Sequence, residues 1–432
     1  MADSNSMTQA SECVPTPKRI ASLDVLRGFA LLGILLLNIL AFGMHSAVLL
    51  NPQVDLSIGW NVDFVTWFGV ELLAEGAMRC LFSMLFGAGM LLFLDGSRAR
   101  PGRLFFKRLG WLLVFGVVDA YVLLWNGDIL VTYAIAGVLI YFFRKRSALT
   151  LFLCSVCLIL LMSGFYGLLR FALEKAHQSA EIVAQDEGPD PVSATIQQEA
   201  RLWTDFASDL EPSAAEMEEE FRLRRTSYFS AFAWNAKRSN EIILMVIPLF
   251  LLWDVLAMML LGMALWRSGV LQGQKSRRFY LVLMVCGFVI GLGVNGLELV
   301  RAVEFELEIV KVFPFFQSTY QFGRLGMAMG YLGLLIVLVR SSVLCRVTGL
   351  LAYVGRMALT NYLMQSLICA IAFSGLGFGL VGYLDRSELY LVVLLLWSFQ
   401  LWFSQFWLKR WKHGPFEWLW RRLTYGASFK TR

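Results

Sequence analysis

Charged side chains inside long apolar stretches are the first feature of this sequence that could do chemistry. Asp24 and Arg27 stand three residues apart at the start of such a stretch, and Asn38 follows within it. Residues three apart share one face of a helix, so Asp24 and Arg27 can pair. A charged side chain at the centre of a bilayer costs about 2.5–3.5 kcal/mol on insertion scales. A compensating ion pair or a binding site is therefore expected here.

A second group of ionisable side chains lies further along the chain, again within apolar segments. Glu71, Glu75 and Arg79 recur at every fourth position, which predicts one inward-facing polar stripe with Glu75 and Arg79 as an ion pair. Three later apolar segments also carry a charge, at Asp254, Arg324 and Arg356. Two interpretations are open: these groups neutralise each other, or they line a polar cavity whose arginines bind a phosphate or carboxylate bidentately.

Two side chains near the ends of apolar segments are candidate catalytic bases. Asp128 precedes the fourth apolar segment, and His45 stands just past the first. Either group could accept a proton from an acceptor hydroxyl or amine at the mouth of a helix bundle. Asn361 and Gln365, four residues apart in a later segment, are candidates for interhelical hydrogen bonds or ligand binding. No spacing typical of a zinc site occurs, so no metal is predicted.

The composition predicts which elements position these side chains. The 432 residues are 58% hydrophobic and 16% charged, with a mean hydropathy of +0.62, whereas soluble domains are about 25% charged. We predict an all-α, polytopic transmembrane helix bundle of about ten spans. They lie near 25–44, 62–94, 104–124, 129–143, 148–170, 242–266, 279–299, 320–340, 348–372 and 388–408. The second is too long for one perpendicular crossing and must tilt, protrude or break, with Gly76 as the candidate break.

The distribution of basic residues predicts the orientation of the bundle. Lysine and arginine are concentrated in alternate connections, at 98–108, 144–146, 267–278 and 340–346. The opposite short loops, 45–61, 125–128, 300–318 and 373–387, hold few, which are Arg301, Lys311 and Arg386. This bias places both termini in the cytoplasm and favours an even number of crossings. The net charge of +6 therefore reflects membrane orientation, and no nucleic-acid partner is expected.

The same pattern predicts five regions in the chain. Residues 1–20 form a polar cytoplasmic tail, and 21–170 form an N-terminal transmembrane half. Residues 171–240 are polar and acidic, and we interpret them as a helical insertion on the non-cytoplasmic side. Residues 241–408 form a C-terminal transmembrane half. The basic, aromatic segment 409–432 is typical of an anchor on the anionic cytoplasmic leaflet.

Several motifs resemble those of the YeiB family of bacterial membrane proteins. The first apolar segment begins Leu-Asp-x-x-Arg-Gly-Phe-Ala-Leu-Leu-Gly-Ile at 23–34. Further matching motifs lie at 86–89, 125–130, 355–366 and 414–426, so the similarity runs nearly end to end. The resemblance implies a multi-pass protein of the bacterial inner membrane, in a family that has been guessed to transport.

A weaker resemblance points to group transfer. The Asp-x-x-Arg-Gly start, with Asn38 ten residues after the glycine, is similar to the heparan-alpha-glucosaminide N-acetyltransferase family. That family takes acetyl groups from cytosolic acetyl-CoA and delivers them to a sugar amine across the membrane, using a histidine after its first motif-bearing span. His45 occupies a comparable region at a shorter spacing, while Asp24, Arg27 and Asp128 match the pattern.

Two functional hypotheses follow. In the first, acyl-CoA or acetyl-CoA docks at the cytoplasmic face near 98–108 and Arg27, and Asp128 or His45 activates an outer small-molecule, lipid or glycan acceptor. The arginines that would stabilise developing charge are Arg79, Arg324 and Arg356. In the second, a transporter or lipid-handling protein uses the same charged groups as a central substrate site. The sequence shows no paired broken helices, which disfavours transport. Membrane lipids and a second copy are the expected partners.

Overall fold

The computed structural model describes residues 21–95, 101–186, 192–341 and 343–426, and all of their side chains except 101, 209 and 309–318. The predicted tail 1–20 and the basic residues Arg98 and Arg100 lie outside this part. The described chain is helical and contains no strand, which confirms the all-α prediction. Its first eight α-helices are α1 Ala21–Gly43, α2 Val62–Leu73, α3 Ala77–Asp95, α4 Pro101–Val117, α5 Leu130–Ile140, α6 Ala148–Gln185, α7 Ala194–Leu210 and α8 Ala214–Thr226.

The second part of the described chain contributes eight more. They are α9 Tyr228–Glu241, α10 Leu252–Arg267, α11 Arg277–Glu304, α12 Ile309–Ser341, α13 Cys345–Arg356, α14 Ala358–Phe373, α15 Arg386–Leu408 and α16 Pro415–Tyr425. A π-helical segment, Ile242–Leu251, joins α9 to α10 and contains Pro248. Seven continuous or near-continuous helices of the described chain are long and apolar enough to cross a membrane. The remaining predicted spans coincide with the shorter helices α4, α5 and α13–α14.

Two of the predicted spans are broken helices. The second span ends as α2 at Leu73 and restarts as α3 at Ala77, with Gly76 at a φ of 62°. Glycine adopts this left-handed conformation without the strain of a Cβ, so the predicted break at Gly76 is confirmed. The ninth span also breaks, at Met357 between α13 and α14. The prediction of one continuous helix there is wrong, and Arg356 ends α13 instead of lying inside a span.

The centre of the bundle is built from α1, α3 and α10, which bury most of their residues. Helices α3 and α10 touch backbone to backbone. A Cβ on Gly87 would lie 2.1 Å from the Met259 carbonyl oxygen, and one on Gly262 would overlap the Met84 carbonyl oxygen. Small residues allow such close approach in membranes, where dispersion contacts and hydrogen bonds replace the hydrophobic effect as the drive for helix packing.

The polar insertion packs against one end of the bundle, which we call the insertion end. Arg224 on α8 donates hydrogen bonds to the carbonyls of Ala41, Phe42 and Met44 at 2.7–2.8 Å, and so caps the C-terminus of α1. The predicted boundaries of the insertion fall inside helices, because α6 runs unbroken through residue 170 and α9 continues through residue 240.

The opposite end, which we call the basic end, carries the arginine-rich connections and α16. Trp420 on α16 donates to the Arg108 carbonyl at 3.0 Å, and the Arg108 guanidinium stacks on that indole ring. Glu417 accepts a hydrogen bond from the Thr360 backbone N–H at 3.0 Å and thereby caps the N-terminus of α14. Burial raises the pKa of the Glu417 carboxyl. Helix α16 is thus packed into the bundle as well as basic and aromatic.

Candidate functional site

A cavity of about 380 Å³ opens within the half of the bundle nearer the insertion end. It lies between α1, the α2–α3 break, α5, the π-helical segment, α11 and α12. Five of the sequence-predicted site residues line it together, and these are Asn38, Glu75, Arg79, Asp128 and Arg324. Ionisable side chains within spans face the bundle interior because contact with lipid costs them solvation. The cavity is therefore the candidate functional site.

An ion pair between two distant helices forms the floor of the cavity. Arg324 on α12 is 1% exposed and binds both carboxylate oxygens of Asp254 on α10, with its Nη1 2.8 Å from Oδ2. Gln321 accepts from the same guanidinium and donates to Asp254 at 3.3 Å. Bidentate pairs of this kind are among the strongest charge-assisted interactions. Arg324 is consequently committed to Asp254 and has little capacity left for a ligand.

A tyrosine connects the floor to the broken helix. Tyr320 donates from its hydroxyl to Glu75 at 2.9 Å and accepts from Arg79 Nη2 at 3.1 Å. Arg79 also lies 3.8 Å from Asp254, and its side chain is 34% exposed towards the cavity. The predicted direct ion pair between Glu75 and Arg79 is wrong, because the break at Gly76 turns α3 away from α2 and Tyr320 fills the gap.

The loop between α4 and α5 brings Asp128 to the cavity. Tyr362 on α14 donates to Asp128 Oδ1 at 3.3 Å, and its oxygen accepts from the Trp125 indole at 3.0 Å and the Ile129 N–H at 3.1 Å. The Val131 N–H, in the first turn of α5, donates to the other Asp128 oxygen at 2.8 Å. Asp128 is thereby held in one orientation at the cavity wall.

A second carboxyl group stands behind Asp128. Asp119 is fully buried, lies within hydrogen-bonding reach of Asp128 and Ser366, and has no well-aligned partner for either oxygen among the described residues. Two carboxyls this close and shielded from water cannot both be charged without a cation, so one of them keeps a proton. Burial raises the pKa of Asp128, in the loop, to about 6. The pair can therefore give or take a proton near neutral pH.

The opening motif of the sequence lies outside the cavity, at the basic end. Arg27 pairs with Asp24 at 3.8 Å, and its Nη2 lies 2.8 Å from where a Cβ on Gly89 would be. A Cβ on Gly355 would overlap the Asp24 carbonyl oxygen, which places Arg356 next to this pair. The motifs at 23–34, 86–89 and 355–366 therefore meet at the basic end. The cavity lining includes none of Asp24, Arg27 and Arg356, and the Asp24–Arg27 pair lies beside the backbone that precedes Arg356.

Asn361 and Gln365 face another helix. Asn361 donates to the Ser404 hydroxyl at 2.9 Å and Gln365 to the Gln400 side chain at 3.1 Å, both across the contact of α14 with α15. Gln400 in turn donates to the Asn361 carbonyl at 2.9 Å. The interhelical alternative is the correct one for these two residues, and their assignment to ligand binding is not supported by their position.

His45 is part of the contact with the insertion. Its Nδ1 accepts from the Ala47 N–H at 3.2 Å, its Nε2 lies 3.1 Å from Glu220 Oε2, and Arg224 binds the other Glu220 oxygen. The side chain is buried in this contact and is not among the residues that line the cavity. Burial is the main cause that lowers the pKa of His45. The structure does not place His45 where a catalytic base would meet an acceptor in the cavity.

Several side chains at the cavity were not assigned to the site from the sequence. Asp254 was recognised as a charged group within an apolar span, but its specific pairing with Arg324 was not. The others are Glu298, Asp119, Tyr320 and Tyr362. The two tyrosines could not be recognised, because a tyrosine in an aromatic-rich helix is equally suited to core packing. Within the described ranges, no group of three His, Cys, Asp or Glu side chains is arranged to hold a metal ion.

The chain is similar to proteins from several bacteria. Residues 265–427 match the family model described as a protein of unknown function, DUF418. The uncharacterised protein YxaH of Bacillus subtilis is 32% identical over 95% of both chains, and the uncharacterised protein YeiB of Escherichia coli is 32% identical over 95% of this chain and 97% of its own. An uncharacterised 39.9 kDa protein encoded in the amylase 3′ region of Bacillus acidopullulyticus is 26% identical over 95% of each chain.

No solved structure matches this chain. The two 32% identical relatives each align with nearly their whole length, including the regions that supply both the cavity and the basic end. The apolar helices and these bacterial relatives together identify an integral membrane protein. The chain belongs to the YeiB family, DUF418.

Proposed function

We propose that this protein is a membrane acyltransferase of the bacterial inner membrane, which moves an acyl group from cytoplasmic acyl-CoA to an acceptor in the cavity. The observation that carries the proposal is the carboxyl pair of Asp128 and Asp119 at the cavity wall. A group with a pKa near the operating pH is an efficient general base, and Asp128 meets that requirement.

The proposed reaction needs one base and one leaving group. The acceptor oxygen or nitrogen forms a bond to the thioester carbonyl carbon, and its proton passes to Asp128. The C–S bond then breaks, and the coenzyme A thiolate takes up a proton. Arg79, which is partly open to the cavity, is suited to stabilise the negative charge that develops on the carbonyl oxygen. Arg324 is bound to Asp254, so its role is indirect: the ion pair forms the floor of the cavity.

The donor side of the proposal rests on Arg27. Arg27 lies at the basic end of α1, and Asn38 on the same helix lines the cavity. Eleven residues of helix separate them, which is about 16 Å at a rise of 1.5 Å per residue. A nucleotide bound at Arg27 could therefore extend a long flexible arm towards the cavity, with its phosphates paired to arginine.

Purified protein in lipid nanodiscs tests the proposal. We expect saturable binding of acyl-CoA and release of free coenzyme A thiol that depends on both protein and acceptor, with membrane extract as the first acceptor source. Arg27→Ala should weaken donor binding about tenfold, and the exposed Arg170→Ala on α6 serves as the matched control. Absence of acyl-CoA binding by the folded wild-type protein would contradict the proposal.

A second candidate, transport of a small molecule or lipid, is favoured by one observation. The sequence predicted a break at Gly76 but no paired broken helices, whereas the chain breaks both at Gly76 and at Met357. Broken helices near a central site are common in transporters. Protein-dependent flux of a bound compound across proteoliposomes, without release of coenzyme A, would favour this candidate.

A further inference from the structure

One wall of the cavity carries three carboxylates. Glu71 on α2, Glu75 at the helix break and Glu298 on α11 all line it. Glu71 lies within electrostatic range of the other two. Tyr320 donates to Glu75, and Thr319 donates to Glu298, which is 5% exposed. Carboxyl groups are therefore concentrated on one side of a partly dehydrated space, where they can ionise together only beside a cation.

The neighbouring cations do not balance these carboxylates. Arg324 is bound bidentately to Asp254, and Arg386 is bound bidentately to Asp55 at 2.8 and 2.9 Å. Among the described side chains that line the cavity, Arg79 is the remaining guanidinium that faces the three glutamates. A ligand that brings positive charge would let these carboxyl groups ionise together, so the cavity favours such a ligand.

A buried hydroxyl group on another wall also lacks a partner. Thr132 on α5 is 1% exposed and lines the cavity, and its Oγ1 has no hydrogen-bond partner within the described part of the chain. An unsatisfied buried polar group costs about 1–3 kcal/mol, which a polar ligand atom would recover. Thr132 lies one turn after Asp128, so such an atom would sit close to the proposed base.

The remaining lining is apolar and reaches the surface at the insertion end. Leu49 and Leu50 line the cavity and are each 49% exposed, while Leu37 and Leu251 line it further in. An apolar passage of this kind suits an alkyl chain that enters from the membrane interface.

We infer that the cavity binds a zwitterionic amphiphile, with its ammonium group among Glu71, Glu75 and Glu298 and its anionic group on Arg79. The inference rests on the proposed function, in which this molecule is the acyl acceptor and presents a separate hydroxyl group to Asp128. An ammonium group balances the carboxylates, an anionic group uses the open guanidinium, and the alkyl part occupies the leucine-lined passage. The same headgroup chemistry occurs in membrane phospholipids and in soluble amino-phosphates.

Native mass spectrometry of the detergent-solubilised full chain tests this inference without any acyl donor. The two probes are phosphatidylethanolamine, a lipid, and phosphoethanolamine, its soluble headgroup, with phosphatidylglycerol as the anionic lipid for comparison. We expect phosphatidylethanolamine to bind at least tenfold more tightly than phosphatidylglycerol. Binding of phosphoethanolamine alone would contradict the assignment of the leucine-lined passage to an alkyl chain.

Matched variants decide whether the carboxylate wall is responsible. Glu298→Gln should weaken the zwitterion about tenfold, whereas Glu304→Gln, an exposed residue on the same helix, should leave binding unchanged. Glu71→Gln gives the same test if Glu298→Gln does not fold. Equal binding of phosphatidylglycerol, or unchanged binding in Glu298→Gln and Glu71→Gln, would overturn the inference. Acyl-CoA binding is measured in parallel, so a donor-binding protein without zwitterion binding contradicts this inference and leaves the proposed function intact.

Discussion

The Nη1 of Arg324 lies 2.8 Å from Oδ2 of Asp254, and this ion pair joins α12 to α10 although the two residues are 70 positions apart in the sequence. Both side chains are buried, and Gln321 bonds to each of them. The pair forms the floor of the cavity, and Arg79 and Tyr320 contact each other beside it.

Removal of one partner from this pair should be strongly destabilising. Asp254→Ala leaves the Arg324 guanidinium buried without a counter-charge, which costs about 3–5 kcal/mol. The double variant Asp254→Ala with Arg324→Met should recover much of that loss, because it leaves no unpaired charge. Thermal unfolding in detergent measures both, with the exposed Asp205→Ala as control. A double variant that is less stable than the single one would contradict this explanation.

A glycine on α4 sets the position of the proposed base. A Cβ on Gly116 would lie 2.7 Å from Asp128 Oδ2 and 2.7 Å from the Val131 nitrogen, so Gly116→Ala must displace the carboxylate. We expect turnover to fall at least tenfold while acyl-CoA binding is retained. Gly110→Ala on the same helix meets no atom within 4 Å and should have no effect. Equal turnover in the two variants would show that the orientation of Asp128 is unimportant.

The contact of α1 with α13 should control donor binding. A Cβ on Gly355 would overlap the Asp24 carbonyl oxygen, so Gly355→Ala must separate the two helices and move the Asp24–Arg27 pair. Acyl-CoA should bind about tenfold more weakly, and overpacking should lower the free energy of unfolding by about 1–3 kcal/mol. Gly293→Ala on α11, which has open space around it, is the control. If the two helices move apart but acyl-CoA binds with unchanged affinity, the donor site does not lie at the basic end.

The contact of His45 with the insertion predicts a dependence of stability on pH. Burial lowers the pKa of His45 in the folded protein below its ordinary value of 6.5, against the opposing charge of Glu220. Below about pH 6.5 the unfolded chain binds a proton that the folded one resists, so the free energy of unfolding falls as the pH falls. At neutral pH and above, this loss is absent.

The corresponding measurement compares the wild type with His45→Gln. Melting temperatures between pH 7.5 and 5.5 should decrease more in the wild type than in the variant, and the difference isolates His45 from other groups. Glu220 and Arg224, which face the imidazole, remain in both proteins. Parallel pH profiles for the two proteins would mean that His45 titrates alike in the folded and unfolded states.

Much of the fold could be predicted from the sequence, since lipid forces backbone groups into helices and apolar length reveals them. The break at Gly76 was predictable from the length of its span and the presence of glycine. The break at Met357 was not, because the residue at the break is neither glycine nor proline, and the nearby Gly355 serves the close contact of α13 with α1. It depends on tertiary contacts, among them the cap that Glu417 provides for α14.

The candidate site could be predicted only in part. Glu75, Arg79 and Arg324 meet at the cavity because charged groups within spans avoid lipid. The partners of each charge could not be deduced, since several pairings satisfy the same rule. Tyr320 replaced the expected ion pair between Glu75 and Arg79. The partners of uncharged polar residues could not be deduced either. Asn361, for example, binds Ser404 on the neighbouring helix.

The most direct test of the central claim is acceptor-dependent release of coenzyme A by Asp128→Asn. The asparagine keeps one acceptor oxygen, which can still bind the Val131 N–H, but it cannot take up a proton, so donor binding should equal that of the wild type while turnover falls at least a hundredfold. In the wild type, turnover should rise with pH through about 6, where Asp128 loses its proton. Full turnover in Asp128→Asn, with acyl-CoA still bound, would contradict the assignment of Asp128 as the base.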